Sequence, residues 1–548
     1  MSGRNSDSVG ALGRGAQVSG PDAVAVGDKS QARGNDALAV GDEATARGAS
    51  SVAVGGESRA QGFATTAVGE DAHAQGRGAT AIGEDSKAQG RGATAVGEDS
   101  EARGKDALAL GVDARAHGPS TSALGGESVA DGPGATAVGW RAEATAERAQ
   151  AFGHLAKAEG VRSLAVGEAA NARSDLSTAI GNQAAADGID ALAIGDNAVS
   201  TGSSTTAVGG ESVADGLAAT AFGWQSSATG ERAHAFGHVA SANGERSLAV
   251  GEGASAQSGF ATAIGNLAAA SGIDALSIGD SAASTGNSTT AVGGESVADG
   301  LAATAFGWQS SAIGERAHAF GHLASANGER SLAVGEGAST QSDFSTAIGN
   351  VAEASGIDAL SLGDSASAMG NSTTALGGES VATGAGTTAI GWQSEASAER
   401  AQAFGHIAEA SGVRSLAVGE EATASGDFSI AIGNQSVASG VNAVAIGDGV
   451  EASADDEFAL GNGDNFYTLA GLADEVAEGT QAFVTVDSLG RLSSVEMPAS
   501  VGARAATEAD IEVGTDAVST AVEEIASLAS VETADLVSTD DEHDAMAV

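Results

Sequence analysis

The stretch Asp36-Ala37-Leu38-Ala39-Val40-Gly41-Asp42-Glu43-Ala44-Thr45-Ala46-Arg47-Gly48 decides the fold. Gly41 and Gly48 separate two short runs of strand-forming residues, and glycine readily adopts the positive φ angles of tight turns. In the second run, Ala44 and Ala46 alternate with polar residues, which predicts a strand with one buried and one wet face. The first run, Leu38-Ala39-Val40, is apolar on both faces, which predicts burial on two sides.

This stretch is one coil of a long array. A glycine occupies every fourteenth position from Gly13 to Gly461, 33 in all, and the residue two before it is Ala except at Ser277 and Ser361. A second glycine usually follows seven residues later. It is replaced only by Ala146, Ser174, Ser258, Ser342, Ala398 and Ala454. The unbroken period predicts an all-β fold, a parallel β-roll solenoid of 14-residue coils, about 150–160 Å long at the usual strand spacing.

The double burial of Leu38-Ala39-Val40 has a consequence for assembly. A single roll has only one interior, so the other face of this strand must meet another chain. The sequence therefore predicts an oligomer, although the pattern alone does not fix which face looks at the partner.

From Gly125 onwards a second period of 84 residues is superimposed on the first. Gly125-Gly126-Glu127-Ser128 recurs from Gly209, Gly293 and Gly377. We predict an N-terminal tail at 1–7, simple coils at 8–124, four super-repeats at 125–461, a small β-hairpin domain at 462–500, a short coiled-coil helix at 501–535 and an acidic tail at 536–548.

Composition narrows the possible partners. The chain has 25 basic and 72 acidic residues, a formal net charge of −47, and no cysteine. Such a surface repels nucleic acid and anionic membranes, so we expect neither nucleic-acid binding nor membrane insertion. Only four of the basic residues are Lys. High acid content with little Lys favours a salt-loving source, and the start Met1-Ser2-Gly3-Arg4 shows no apolar core of a signal peptide.

The repeat resembles the head repeats of trimeric autotransporter adhesins of the YadA type. The resemblance rests on Ser163-Leu164-Ala165-Val166-Gly167, on Asn442-Ala443-Val444-Ala445-Ile446-Gly447 and on their equivalents over about residues 8–461. It implies a left-handed roll, a homotrimer and binding to a host surface or matrix. Similar repeats also look like parts of virus tail fibres.

The residue just after each turn glycine forms a column that changes in a fixed order within each super-repeat. Tryptophan, histidine and a carboxylate in a row suit carbohydrate stacking or a cation, whereas the structural alternative is a turn cap or a filler between chains. The structural alternative is the stronger. The candidate binding residues are Trp140, His154, Glu168, Trp224, His238, Trp308, His322, Trp392 and His406.

A second set of polar residues stands three positions before the turn glycine. We expect Gln150, His234, His318 and Gln402 to be either a hydrogen-bonded polar group in the roll interior, which is favoured, or a ring about a threefold axis. Phe222 with Phe236, and Phe306 with Phe320, lie one coil apart and are interpreted as core ladders. The acidic positions after the turn glycines are interpreted as a solvated face, so no metal site and no cofactor is expected.

These observations predict an extracellular, homotrimeric attachment fibre that binds a host glycan or protein receptor. The favoured placement is a virion tail or receptor-binding fibre of a halophile's virus, with a base or virion protein docking at the C-terminal end. The alternatives are a cell-surface trimeric adhesin and, in another class, a glycan-cleaving tailspike enzyme. Because coils without insertions provide no groove for a close carboxylate pair, we expect no enzymatic activity.

Overall fold

The computed structural model describes residues 10–467, 482–486, 488 and 492–496, and in these ranges the regular secondary structure is entirely β-strand. A three-residue strand, here called the long strand, recurs every fourteen residues from Gly10–Leu12 to Phe458–Leu460. A two-residue strand, the short strand, recurs at the same interval from Gln17–Val18 to Glu451–Ala452. The predicted all-β solenoid of 14-residue coils is confirmed. None of the described residues belongs to a helix that could cross a bilayer.

Successive coils stack in parallel and in register. The long strands form one 33-stranded sheet in which, for example, Val24 pairs with Leu38. The short strands form a second parallel sheet, in which Gln31 pairs with Thr45. The amide of Leu38 donates to the carbonyl of Ser51 at 2.8 Å, so each coil is bonded to the next one. The rod is therefore held by backbone hydrogen bonds repeated at every coil.

The interior of the roll holds only small side chains. In the coil quoted above, Ala37, Ala39, Ala44 and Ala46 point inward and are at most 2% exposed. Where Ser or Thr takes one of these positions, its hydroxyl usually bonds a nearby carbonyl, as in Ser51, whose Oγ donates to the carbonyl of Gly48 at 2.6 Å. Within the part of the chain that the structure describes, no such partner is present for the Oγ atoms of Ser163, Ser415 and Ser429. Among the described residues the largest fully buried side chains are threonines, so the interior has no room for a cofactor or a bulky residue.

The structure settles which side of the long strand faces inward. Ala39 is buried, whereas Leu38 and Val40 on either side of it point away from the interior and are half-buried. Each coil thus has four outer sides. These are the long-strand face (as at Leu38 and Val40), the short-strand face (as at Thr45 and Arg47), the first-turn edge (as at Asp42 and Glu43) and the second-turn edge (as at Ala49 and Ser50).

Two expectations about this strand are wrong. The phenylalanines are not in the core of the roll, because they occupy the outward position next to the turn glycine. The exposed fractions are 54% for Phe222, 37% for Phe236, 53% for Phe306 and 37% for Phe320.

The interior placement of the second polar set is also wrong. Strand alternation puts these residues on the same outer side as the phenylalanines, with the interior Ala between them. They are exposed or half-buried on the long-strand face: Gln150, His234, His318 and Gln402.

The two glycine columns differ for a conformational reason. Gly27, in the first column, has a φ of +132°, and a Cβ there would overlap the carbonyl group of Gly41 in the next coil. Only glycine fits, which accounts for the absence of exceptions. The second column lacks this positive φ, and at Ser174 the hydroxyl donates to the carbonyl of Asp187 in the next coil. A Cβ would also overlap the carbonyl of the next coil in this column, as at Gly34, so only Ala and Ser replace the second glycine and the neighbouring backbone must shift for them.

Beyond the rod, Ala482–Val486 pairs antiparallel with Leu492–Glu496, with Val484 opposite Ser494. These are the strands that the sequence predicted as a hairpin. The predicted N-terminal tail, coiled-coil helix and acidic tail lie outside the described residues, and the proposed domain boundaries stay predictions.

Candidate functional site

The first-turn edge of each super-repeat carries an aromatic stack. The ring centroids of Trp140 and His154 are 5.0 Å apart with an interplanar angle of 17°. On the other side of the imidazole, His154 Nδ1 lies 3.4 Å from Glu168 Oε1. The same Trp–His stack recurs three times, with centroids 5.0–5.1 Å apart, in the pairs Trp224–His238, Trp308–His322 and Trp392–His406.

Each indole packs on a glycine of the preceding coil. A Cβ added to Gly126 would lie 3.1 Å from Trp140 Cδ1, so the five-membered ring lies directly over this residue of the preceding coil. The equivalent distances at the three later blocks are 2.8, 2.7 and 3.0 Å, for Gly210, Gly294 and Gly378. The recurring Gly-Gly-Glu-Ser segment is thus explained by its second glycine. Sequence reasoning noted this segment but missed its role, and the signal was the fixed distance of fourteen residues to each Trp.

This packing bears on the carbohydrate interpretation. Sugar stacking needs an open aromatic face, but His154 stacks on Trp140 and the five-membered ring packs over Gly126. The guanidinium of Arg141 also lies over the indole, 4.4 Å from its centroid. The residue is nevertheless 43% exposed. The geometry therefore favours a packing role over an open sugar platform, and a binding role for these residues stays a prediction.

The column continues with polar pairs rather than with a cation site. Asn266 Nδ2 donates to Asp280 Oδ1 at 2.7 Å, and the same bond is made by Asn350 to Asp364. In the described part of the chain no three His, Cys, Asp or Glu side chains are grouped as metal ligands would be. These carboxylates therefore belong to a hydrogen-bonded ladder along the edge.

The polar set on the long-strand face adjoins the exposed phenylalanines. The rings of His234 and Phe236, two residues apart on one strand, have centroids 6.2 Å apart and an interplanar angle of 16°. Such an outward histidine is available to another chain, and a ring of these residues about a symmetry axis stays a prediction.

The second-turn edge presents an arginine–aromatic pair that sequence reasoning did not single out. The guanidinium of Arg246 lies over the ring of Phe260, 5.4 Å from its centroid, and Arg330 and Phe344 repeat the contact at 5.6 Å. Cation–π contacts at exposed sites contribute about 0.5–1 kcal/mol each. The signal available in the sequence was the recurrence of both residues at 84-residue spacing.

In three of the simple coils, between residues 70 and 105, the two edges carry opposite charge at the same level of the rod. Glu70, Glu84 and Glu98 stack on the first-turn edge, and no ion pair within the described residues engages them. On the second-turn edge of the same coils stand basic residues, namely Arg77, Arg91 and Lys105. Over these three coils the roll thus exposes an acidic edge and a basic edge that face in different directions, although Asp106 Oδ2 lies 3.8 Å from Lys105 Nζ on the basic one.

Comparison with known proteins identifies a family and similar solved structures. The family model described as the YadA head domain repeat matches the chain repeatedly between residues 11 and 463. The crystal structure of the collagen-binding domain of the Yersinia adhesin YadA aligns with 21% identity over 38% of this chain and 83% of that one, with a TM-score of 0.15. No curated protein matches the chain.

Proposed function

We propose, from the premise that the chain belongs to the family of YadA head domain repeats, that it is the rod of a homotrimeric attachment fibre which acts at a cell surface and binds a host molecule. One observation carries the assembly into an oligomer, namely the uneven distribution of exposed apolar side chains around the roll, and the number three is proposed from the family. The receptor is a host-surface glycan or protein, contacted weakly and repeatedly along the length of the rod.

The exposed large apolar side chains are concentrated on three of the four outer sides. Within residues 10–461 only three large exposed apolar side chains lie on the short-strand face, at Val297, Ile313 and Met369. All others lie on the long-strand face, as Phe222 does, or on a turn edge, as Ile273 does. The column is unbroken on the long-strand face, where the residue before the turn glycine is Val, Ile, Leu or Phe in every coil, and such an apolar surface marks an interface. The short-strand face is therefore the side left to solvent and to the receptor.

Closed cyclic symmetry accounts for the use of three sides. In a ring of identical chains, one surface of each copy contacts a different surface of the next. The acidic first-turn edge at Glu84 and the basic second-turn edge at Arg91 supply such a complementary pair at the same level of the rod. The long-strand faces then meet around the axis, and the two edges close the contacts between neighbours.

Two alternatives from the sequence are a glycan-cleaving enzyme and a virion fibre. A glycan-cleaving enzyme needs a carboxylate pair in a groove, and residues 10–461 form coils without an insertion that could build one. Placement on a virion, with a base or virion protein at the C-terminal end, stays a prediction.

The test combines mass, shape and location. Sedimentation equilibrium of the purified chain should give three times 52.6 kDa, and negative-stain microscopy should show straight rods. Antibody against residues 10–120 should label cell envelopes, whereas label on the fibres of virus particles would move the rod to the virion. A folded monomer at all salt concentrations would overturn the trimer.

A further inference from the structure

The short-strand face changes sign along the rod. The outward positions of this face are the first residue of each short strand and the residue that follows the strand. From Gln17–Val18 to Arg115–Ala116 these positions hold six basic residues and one acidic residue, Glu101. From Val129–Ala130 to Glu451–Ala452 the same positions include ten acidic and two basic residues. The six cations, here called the basic strip, are Arg33, Arg47, Arg59, Lys87, Arg103 and Arg115.

The strip has a regular geometry. In-register pairing places Arg59, His73, Lys87, Glu101 and Arg115 in successive coils of one row. Fixed cations therefore recur at every second coil, about 9.6 Å apart at the usual strand spacing. The second row, two residues further along each coil, contributes exposed amides and guanidiniums, at Arg33, Arg47, Gln61, Gln75, Gln89 and Arg103.

Most of these cations have no carboxylate partner within the described residues. Arg33, Arg47, Lys87 and Arg115 make no ion pair there, and the one carboxylate of the face, Glu101, is engaged by Arg103 at 2.5 Å. The strip therefore presents uncompensated positive charge in a chain whose net charge is −47.

The histidine between Arg59 and Lys87 responds to this positive field. Burial, and then the charge of Arg59, lowers the pKa of His73. Arg59 Nη1 donates to His73 Nε2 at 2.5 Å, so the imidazole accepts this bond in its neutral form. The two side chains thereby hold each other in place at the surface.

We propose that the basic strip binds an acidic polysaccharide, through its sulfate or carboxylate groups, with the sugar chain running along the rod axis. The proposal rests on the proposed fibre only in requiring the short-strand face to point outward. Arginine and lysine form strong charge-assisted hydrogen bonds to such anions. Glutamines 61, 75 and 89 supply amides for sugar hydroxyls, and the acidic first-turn edge at Asp71 and Asp85 repels the anion and confines it to the strip.

Other polyanions fit the strip less well. Single-stranded nucleic acid is bound by aromatic side chains on which bases stack, and apart from His73 and His117 the outward side chains of these short strands include no aromatic residue. A membrane anchor needs apolar side chains to insert, and the same positions carry no large apolar residue. A polysaccharide needs neither.

The test measures binding of the full-length chain to immobilised heparin, as a sulfated probe, and to hyaluronate, as a carboxylated one. Dextran serves as the neutral probe, and single-stranded DNA and phosphatidylserine vesicles are the competing polyanions. The test variant carries Arg59→Gln, Lys87→Gln and Arg115→Gln. The matched control, Arg232→Gln with Arg316→Gln and Arg400→Gln, makes the same change in net charge on the second-turn edge.

We expect binding to at least one acidic polysaccharide, weakened on the order of tenfold or more by the test variant and little by the control. Binding to neither polysaccharide, equal loss in both variants, or tighter binding to DNA or vesicles would overturn the proposal. Sedimentation of the same samples separates the two hypotheses. A trimeric rod without binding removes only the strip, and a monomer that binds removes only the trimer.

Discussion

The indole of Trp308 stacks on the imidazole of His322 with ring centroids 5.1 Å apart and an interplanar angle of 10°. Its other face lies over Gly294, where a side chain would collide with Cδ1. The indole is thus held between two successive neighbours in the stack of coils. The arrangement recurs every 84 residues, or six coils, which corresponds to about 29 Å along the rod.

This packing predicts the effect of adding a side chain at Gly294. In Gly294→Ala the new Cβ would lie 2.7 Å from Trp308 Cδ1, so the indole must shift and its stacking on His322 must loosen. We expect a loss of about 1–2 kcal/mol in the free energy of unfolding of the surrounding coils. Tryptophan fluorescence should change, because the ring environment changes.

Gly56→Ala is the matched control for Gly294→Ala. It occupies the same position of the coil, but a Cβ there meets only Glu70 Cγ at 3.9 Å. The packing role of the glycine would be contradicted if Gly294→Ala and Gly56→Ala had equal stability and unchanged fluorescence.

The size limit of the roll interior predicts a second contrast. Ala165 is fully buried in an interior whose largest side chains are threonines, so Ala165→Phe should unfold the adjoining coils, at a cost of about 3 kcal/mol or more. Val166→Phe places the same ring on the long-strand face, where Phe152 already stands one coil earlier, and should fold.

Circular dichroism and limited proteolysis would measure this contrast, and sedimentation would show whether Val166→Phe still assembles. Native-like stability of Ala165→Phe would mean that the interior is larger than the structure shows.

The sequence predicted the strands of this coil and left one question open. Leu38-Ala39-Val40 is apolar on both sides, so alternation alone could not say which side is inside. Side-chain volume decides it, because the narrow interior of the roll admits Ala39 but not Leu38. The near-invariant Ala at this position was a usable signal. The phenylalanines were misplaced because their hydrophobicity was weighed without their volume.

The stack at Trp140 shows a different limit of sequence reasoning. The period of 84 revealed that Trp, His and Glu stand in one column, but not that the indole packs between His154 and Gly126. That depends on the ring orientation over Gly126, one coil earlier, which no periodicity encodes. The basic strip, in contrast, was readable from the sequence, because its cations recur at equivalent positions of the fourteen-residue period.

Salt should stabilise the rod. The chain has a net charge of −47, and carboxylates such as Glu84 and Glu98 stack in adjacent coils without ion pairs in the described structure. Raising ionic strength from about 0.1 M to 1 M shortens the screening length from roughly 10 Å to 3 Å and weakens this repulsion. The melting temperature should rise with potassium chloride and much less with sucrose of equal osmolality. A melting temperature that is flat or falls with salt would argue against the expected halophilic character.

Charge reversal tests how neighbouring copies contact one another. If the first-turn edge of one copy meets the second-turn edge of the next, Glu70→Arg with Glu84→Arg and Glu98→Arg should place like charges in contact and weaken assembly on the order of tenfold or more at low salt. The reversal of the basic edge should have the same effect, through Arg77→Glu, Arg91→Glu and Lys105→Glu. Combining both sets exchanges the two edges and should restore the trimer, since opposite charges face each other again.

Sedimentation equilibrium measures all three variants, with circular dichroism to confirm that each coil array is folded. Altering the acidic edge also changes the repulsion within one chain, so the restored assembly of the combined variant is the decisive result. A combined variant that assembles no better than either single set would show that the two edges do not meet.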